Sequence, residues 1–291
     1  MYTIENAFIK VAVKAQGAEL CSLVRKEDGK EYIWQGDPAY WKRHAPVLFP
    51  VVGTLNPKRG LDMGRHGFAR DMMFTCEGVK EESLVMVLKA SEKTKEVYPY
   101  DFGLRITYTL EENRLNIGYE VVNEGTGEMP FSIGAHPAFN CDLFGGHVEL
   151  EFEKEEALEC LCLDVEKGLL NGETLDISLK DRKLKIKSES FKNDALVFEN
   201  LESTWIRVLD PSTKTSVKVT YGGFPFMGIW SPGAPFVCIE PWYGVTDNLV
   251  DEGPLSDKRG IVLLGPNENF DAVHSIEVEA FEWLEESSTQ T

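Results

Sequence analysis

The chain has little positive charge and no long apolar segment. Its 291 residues include 30 Lys and Arg against 48 Asp and Glu, which gives a net charge of −18. Because so acidic a surface repels nucleic-acid phosphates and anionic lipid headgroups, neither nucleic acid nor a membrane is an expected partner. No apolar run approaches the roughly 18 residues of a membrane-spanning helix. A neutral small molecule is not repelled by this charge and is the expected class of ligand.

Cysteine is also sparse. The six cysteines are scattered, whereas disulfide scaffolds are short and cysteine-dense. Only Cys160 and Cys162 are closely spaced, and two positions i, i+2 on a strand make a poor metal site without a second pair. Residues 1–14 alternate like a strand and lack the basic and apolar regions of a secretion signal. We therefore expect a reduced, cytoplasmic protein that holds no metal.

Helical periodicity is rare, and short alternating segments dominate. The clearest strands are predicted at residues 83–89, 105–110 and 114–123. Helical patterns occur at residues 92–97 and at 38–43, the second with an Asp N-cap and a Pro at its first helical position. Further strands are predicted at 8–14, 19–25, 31–34, 147–152, 184–187, 195–198, 205–209, 216–221, 226–230, 236–240, 260–264 and 275–280.

This pattern predicts an all-β protein built from packed antiparallel sheets, as a sandwich or a barrel. No repeat, linker or shift in composition marks a domain boundary. We therefore expect one β-sandwich domain over residues 1–291, with a polar C-terminal tail at about 285–291.

Histidine is scarce, and two of the five histidines have unusual neighbours. His66 lies in a basic loop between two glycines at positions 64 and 67, and His136 precedes Pro137, which forces it toward an extended conformation. An imidazole with a fixed direction suits a proton donor, because histidine titrates near neutral pH. A hydrogen-bonded structural histidine is the other interpretation, and the residues alone leave both open.

Glu240 is a lone carboxylate between an apolar strand and an aromatic turn. It follows the apolar residues 235–239 and precedes Pro241 and Trp242. Partial desolvation would raise the pKa of its carboxyl group and make it a better general base. Trp230 and Trp242 offer rings on which apolar sugar faces stack, although aromatic residues of a β protein commonly belong to its core. A glutamate that points to water from the strand end is the alternative.

Six short motifs occur in a characteristic order along most of the chain. The most specific are His-Gly-Phe-Ala-Arg at 66–70 and Cys-Ile-Glu-Pro-Trp at 238–242. In this order they resemble the aldose 1-epimerase (galactose mutarotase) superfamily, in particular its bacterial lactose-operon-associated branch. The other four are Phe-Pro-Val-Val-Gly at 49–53, Tyr-Pro-Tyr-Asp-Phe at 98–102, His-Pro-Ala-Phe at 136–139 and Asn-Asp-Ala-Leu at 193–196.

The resemblance implies a large antiparallel β-sandwich with a sugar cleft across one sheet. It also implies interconversion of the α and β anomers of a free hexose, without a cofactor or metal. By motif match, Glu240 is the base that takes the proton of the sugar C1 hydroxyl, and His136 is the acid that protonates the ring oxygen. His66 would hydrogen-bond the sugar near that oxygen, and Asp194 would bind sugar hydroxyls. We expect Glu240 and His136 to face each other across a gap wide enough for a pyranose.

The sequence departs from the superfamily in one loop. Relatives carry a sugar-contacting arginine after the motif at 49–53, whereas this chain continues with Thr54. Arg59 or Arg70 would then make the contact, and the motif match does not choose between them.

Other functions remain open at this level. A carbohydrate-binding protein of the same fold without turnover is one, although binding alone does not require an acid opposite a base. A glycoside hydrolase would pair Glu240 with Asp194 and leave His136 without a role. The chain is expected to act as a monomer or a homodimer. A hexose 6-phosphate would suit a local basic cluster, which is otherwise a solvated loop and consists of Lys58, Arg59, Arg65, His66 and Arg70.

Overall fold

A computed structural model describes residues 1–281 of the chain, so the polar tail predicted at 285–291 lies outside the described residues. The regular structure is almost entirely strand. One short helix, α1 (Glu92–Lys95), and 3₁₀ turns at Pro57–Arg59, Ala69–Asp71, Ser188–Phe191 and Leu255–Asp257 accompany the strands. Among the described helices, none is long and apolar enough to cross a membrane.

In chain order the strands are β1 (Tyr2–Glu5), β2 (Ile9–Val13), β3 (Leu20–Arg25), β4 (Lys30–Glu31), β5 (Val47–Leu48), β6 (Thr75–Val79), β7 (Ser83–Lys89), β8 (Phe102–Glu111), β9 (Arg114–Asn123), β10 (Met129–Phe131), β11 (Ile133–Ala135), β12 (Ala138–Asn140), β13 (Val148–Phe152), β14 (Leu158–Asp164), β15 (Leu169–Ile177), β16 (Lys183–Ile186), β17 (Leu196–Glu199), β18 (Trp205–Asp210), β19 (Thr215–Thr220), β20 (Phe226–Trp230), β21 (Phe236–Tyr243), β22 (Val262–Leu264) and β23 (Asn269–Val278).

Two large antiparallel sheets make up most of the fold. The nine-stranded sheet has the order β16-β13-β18-β19-β23-β9-β8-β7-β6. The eight-stranded sheet has the order β15-β14-β17-β20-β21-β11-β5, and β12 also pairs with β21. A four-stranded sheet (β1 to β4) and a β10–β22 pair complete the described part of the chain.

The two large sheets pack face to face around a shared core. One apolar cluster contains Leu104 and Ile106 of the nine-stranded sheet together with Val237 and Ile239 of the eight-stranded sheet, all with no exposed surface. Burying apolar side chains of both inner faces is what holds a β-sandwich together. The predicted antiparallel β-sandwich is therefore confirmed.

Strand β21 sends its side chains to two different environments. Val237 and Ile239 enter the core between the sheets, whereas Cys238 and Trp242 belong to separate clusters on the other face. Because strand side chains alternate, Glu240 lies on that same outer face. The residues from which the site is built therefore share one surface of the eight-stranded sheet.

Strong alternation in the sequence predicted strands accurately. The predictions at 83–89, 114–123 and 226–230 coincide with β7, β9 and β20, and the helix predicted at 92–97 begins as predicted. The hairpin of β14 and β15 was not predicted. Its second strand lies at the edge of the sheet and is largely exposed, so its sequence carries no alternation of polar and apolar residues.

The helix predicted at residues 38–43 is wrong. Asp37 does cap a turn, since its Oδ1 accepts a hydrogen bond from the Ala39 amide at 2.9 Å. The Trp41 amide donates to the Asp37 carbonyl at 2.9 Å, and regular structure then ends. Trp41 instead packs its indole against side chains of the outer face, and this packing overrides a weak local preference for helix.

Candidate active site

The sheet register brings His136 opposite Glu240. Strands β11 and β12 both pair with β21, through Gly134 to Trp242 and through Ala138 to Cys238. His136 lies midway between these pairs, where Pro137 interrupts the ladder because it has no amide hydrogen to donate. Two motifs about a hundred residues apart therefore meet at one point of the sheet.

The two side chains touch and are almost completely enclosed. His136 Nε2 lies 3.2 Å from Glu240 Oε2, and the residues are 6 % and 1 % exposed. The geometry is not that of an aligned hydrogen bond. Within residues 1–281, Glu240 Oε2 and His136 Nδ1 have no hydrogen-bond partner.

The expected gap of pyranose width between Glu240 and His136 is wrong. The C1 hydroxyl oxygen and the ring oxygen of a pyranose are both bonded to C1, so the groups that serve them must lie side by side. A separation of 3.2 Å suits that arrangement better than two walls on opposite sides of a ring.

Burial moves the pKa values of the pair in opposite directions. It raises the pKa of the Glu240 carboxyl group well above its usual range, helped by the nearby negative charge of Asp194 and opposed by Arg65. Burial lowers the pKa of His136 to about 3, and the positive charges of Arg70 and Arg65 act in the same direction. At pH values between these two pKa values, the pair holds one proton. The two residues titrate together as one unit.

His66 presents a defined nitrogen to the same place. Its Nδ1 accepts a hydrogen bond from the Gly53 amide at 3.1 Å, which leaves the ring proton on Nε2. The ring lies edge-on to His136, with centroids 5.5 Å apart. Burial, followed by the charge of His136, lowers the pKa of His66 well below its ordinary value. His66 is therefore a neutral hydrogen-bond donor beside the pair.

Gly67 explains why the loop holds His66 so closely. Its φ is +70°, and a Cβ at this position would lie 2.3 Å from the carbonyl oxygen of Phe49. Only glycine fits such a backbone approach without displacement. The His-Gly motif is thus a packing requirement that fixes the direction of the imidazole.

Two tryptophans form an aromatic wall over His136. The Trp41 ring stacks on the imidazole with centroids 4.9 Å apart, and the Trp230 ring meets it edge-on at 5.7 Å. Both indoles are half-buried, so part of each is open to a ligand. Trp41 belongs to no motif in the sequence analysis, and its only signal was its position in a weakly helical segment.

Asp194 and Arg70 both lie near the pair. Asp194 accepts an ion-pair contact from Arg65 at 3.2 Å, and Arg70 donates to the backbone carbonyl of Arg65. Burial lowers the pKa of Arg70 to about 10, and the positive charge of Arg43 contributes. Arg43 and Arg65 are therefore additional basic groups at this site. The sequence indicated Arg65 only as a member of the basic cluster and did not indicate Arg43.

The Arg59 side chain does not reach the site. Its side chain is 1 % exposed and pairs with buried Asp247 at 2.7 Å. It also donates to the backbone carbonyls of three loop residues, Glu252, Gly253 and Pro254. Because these partners occupy its donors, Arg59 serves the loop structure, and Arg70 is the better candidate for the missing arginine.

Trp242 lies beside Glu240 but mostly in the core. Its ring packs over two glycines of the neighbouring strands, since a Cβ at Gly134 or Gly228 would lie 2.6 or 2.3 Å from indole atoms. Only 5 % of the residue is exposed. Its indole N–H favours the charged form of the Glu240 carboxyl group, although within residues 1–281 it makes no aligned hydrogen bond.

Comparison with known proteins identifies the family. The aldose 1-epimerase family model matches residues 1–277. The chain is 33 % identical over 282 residues to the plasmid and chromosomal LacX proteins of Lactococcus lactis subsp. lactis, covering 90 % of this chain and 94 % of each relative. The chain therefore belongs to the aldose 1-epimerase family, and the likeness to LacX confirms the lactose-operon-associated branch.

Solved structures agree with this assignment. A galactose mutarotase-like protein from Lactobacillus casei ATCC 334 is 31 % identical, with a TM-score of 0.91 over 96 % of this chain and all of that chain. A galactose mutarotase related enzyme from Lactobacillus acidophilus is 33 % identical, with a TM-score of 0.89 over 96 % of this chain and 97 % of that chain. Both support the same fold and family.

Proposed function

We propose that this protein is an aldose 1-epimerase that interconverts the α and β anomers of a free hexose. The observation that carries the proposal is the contact of His136 Nε2 with Glu240 Oε2 at 3.2 Å, on the outer face of the sheet and beside His66. Ring opening needs a proton acceptor at one oxygen and a proton donor at its neighbour, and this pair supplies both.

The reaction follows from the single proton that the pair holds. In the productive form, the Glu240 carboxylate accepts the proton of the C1 hydroxyl group while the His136 imidazolium donates its proton to the ring oxygen. The C1–ring oxygen bond breaks, and an open-chain aldehyde results. Rotation about the C1–C2 bond presents the other face of the carbonyl, and the reverse transfers close the ring and restore both residues.

Neighbouring residues assist these transfers. The Nε2–H of His66 is available to the ring oxygen or to a hydroxyl next to it. Asp194 and Arg70 would bind sugar hydroxyls, and the Trp41 and Trp230 rings would pack on an apolar sugar face. The Glu240 carboxyl group and the His136 ring are shielded from water, which strengthens every charge interaction between them.

A phosphorylated hexose is the second candidate substrate. In a chain with a net charge of −18, the cations Arg43, Arg65 and Arg70 all act on His136 and His66. Arginines that gather near a site suit a phosphate or another anion. Arg65 and Arg43 are already paired with Asp194 and Asp71, so a phosphate would have to compete with these carboxylates.

Anomer exchange is measured directly by NMR or polarimetry. We expect the protein to accelerate equilibration of freshly dissolved α-galactose or α-glucose, and inorganic phosphate not to compete. Exchange of glucose 6-phosphate alone, with inhibition by inorganic phosphate, would favour the second candidate. Sugar binding without acceleration of any exchange would contradict the enzymatic proposal and leave a carbohydrate-binding protein.

A further inference from the structure

Three side chains of different ligand chemistry meet on the outer face of β21. Cys238 and Glu240 are two positions apart on the strand and so point to the same side, and His136 lies opposite them in the register. One ligand atom from each residue lies within 4.8 Å of the other two, and all three residues are buried. No metal was expected from the sequence, because Cys160 and Cys162 lack a second pair of ligands close by, whereas folding assembles this set from distant positions.

One ligand atom of this cluster makes no aligned hydrogen bond with the described part of the chain. Glu240 Oε2 is buried and, among residues 1–281, accepts no hydrogen bond. Its near contact is His136 Nε2, 3.2 Å away, and a buried carboxylate oxygen without a well-formed hydrogen bond has lone pairs left for a further ligand. Its side chain is 2 % exposed, so solvent does not fill this role freely.

We propose that His136, Cys238 and Glu240 form a binding site for Zn²⁺ or a similar thiophilic divalent cation, which inhibits anomer exchange. This inference rests in part on the proposed function, since inhibition presupposes exchange. Sulfur, nitrogen and oxygen ligands together suit Zn²⁺, whereas Mg²⁺ and Ca²⁺ prefer oxygen alone. Three protein ligands leave one tetrahedral position for a fourth ligand.

The distances fit with a small adjustment. With ligand bonds of about 2.0–2.3 Å, tetrahedral ligand atoms lie about 3.3–3.6 Å from one another. The separation of 3.2 Å between His136 Nε2 and Glu240 Oε2 already matches. Cys238 Sγ lies within 4.8 Å of both other ligand atoms, so it has to move closer to reach the ion.

Charge is balanced when the cation binds. The cation displaces one proton from the Cys238 thiol and one from the His136–Glu240 pair. A dication then replaces two protons, so the buried site keeps its net charge. Because the ion occupies both the proton acceptor and the proton donor, no sugar oxygen can exchange protons there while it is bound.

Cobalt absorption tests the site without any sugar. Titration of the full-length protein with Co²⁺ is expected to give a thiolate-to-cobalt charge-transfer band in the near ultraviolet. The band should disappear in Cys238→Ala and remain in Cys162→Ala, a matched control at a half-buried cysteine. Cys238→Ser, which keeps the size of the side chain, guards against a misfolded alanine variant, and thermal melting checks all three variants.

Inhibition by Zn²⁺ tests whether the bound cation blocks anomer exchange. Each variant is compared with its own rate of anomer exchange without metal, and Zn²⁺ should inhibit the wild type and Cys162→Ala. In Cys238→Ala the concentration for half-inhibition should rise by on the order of tenfold or more, and Mg²⁺ should have no effect on any of them. Equal zinc sensitivity, or no cobalt band in the wild type, would overturn the proposal. A cobalt band that depends on Cys238 in a protein that exchanges no sugar would instead retain the site and reject the proposed function.

Discussion

The indole of Trp41 stacks on the imidazole of His136, with ring centroids 4.9 Å apart and planes inclined by 27°. An aromatic face attracts a cation by about 0.5–2 kcal/mol. The stack therefore favours the imidazolium form of His136 and partly offsets the burial that disfavours it. Trp41 also fixes the ring plane, so its contribution is to position the proton donor.

Replacement of Trp41 tests this role. Trp41→Leu should lower kcat/KM for anomer exchange by about 2- to 30-fold, the equivalent of the stacking energy. Trp41→Phe should recover most of the loss because it keeps an aromatic face. Tyr40→Leu, at the exposed neighbouring position, serves as the control. Equal activity of the Leu and Phe variants would show that the stack does not assist the proton donor.

The acid–base pair is tested by isosteric changes. Glu240→Gln removes the proton acceptor and should reduce exchange by about 10²–10⁴-fold while sugar binding is largely kept. His136→Asn should likewise lower turnover more than binding, since it removes the donor and keeps a polar group. Calorimetric binding and exchange rates are measured on the same preparations. Loss of the folded state in His136→Asn would instead indicate a structural histidine.

The pH dependence of exchange follows from the directions of the two shifts. Catalysis needs one proton on the pair, and burial raises the pKa of Glu240 while it lowers that of His136 to about 3. Exchange should therefore be fastest between these two pKa values. It should fall on the alkaline side, where Glu240 loses the last proton, and near pH 3, where His136 gains a second one. A rate profile corrected for the spontaneous reaction checks this, and an acid limb near pH 6.5, the ordinary pKa of histidine, would contradict it.

Arg59 and Arg70 should have different roles. Arg59→Met removes a charged hydrogen-bonding partner of buried Asp247 and should lower the free energy of unfolding by about 1.5–3 kcal/mol. KM should stay the same, because the Arg59 side chain is enclosed by its loop. Arg70→Met should raise KM by on the order of tenfold, through a lost contact to the sugar. Denaturant unfolding and exchange kinetics separate the two effects, and a raised KM in Arg59→Met would return that residue to the site.

His274 should make the protein sensitive to acid. Its ring stacks on Tyr119, and neither ring nitrogen has a hydrogen-bond partner within residues 1–281. Burial lowers its pKa from 6.5 to about 3. The unfolded chain thus binds a proton that the folded chain does not, so stability is kept above pH 6.5 and falls as the pH drops toward 3. Through this group the free energy of unfolding falls by at most about 1.4 kcal/mol for each pH unit.

His274→Phe should therefore reduce the decrease in the free energy of unfolding that accompanies a drop in pH. Urea unfolding at several pH values between 6.5 and 4 would show a smaller decrease than in the wild type. His147→Gln, at an exposed position, is the control and should leave the slope unchanged. An unchanged slope in His274→Phe would mean that other groups dominate acid unfolding.

The alternation of polar and apolar residues was enough to predict a strand where one face of that strand is buried. The predictions at 83–89 and 114–123 were accurate because these strands alternate between the core and solvent. The helix predicted at 38–43 failed because the contacts of Trp41 lie almost a hundred residues away, at His136. The exposed edge strand β15 carried no such pattern to predict.

The sequence by itself determined the class of fold, the family and the residue types of the chemistry, because alternation and ordered motifs are properties of the linear chain. Only the tertiary structure decided that Glu240 and His136 lie 3.2 Å apart and that Cys238 joins them. It also decided that Arg59 is enclosed with Asp247 while Arg70 and Arg65 lie beside the pair. Distances and desolvation arise from strand register and from packing between distant segments, and neither is encoded in any one stretch of the chain.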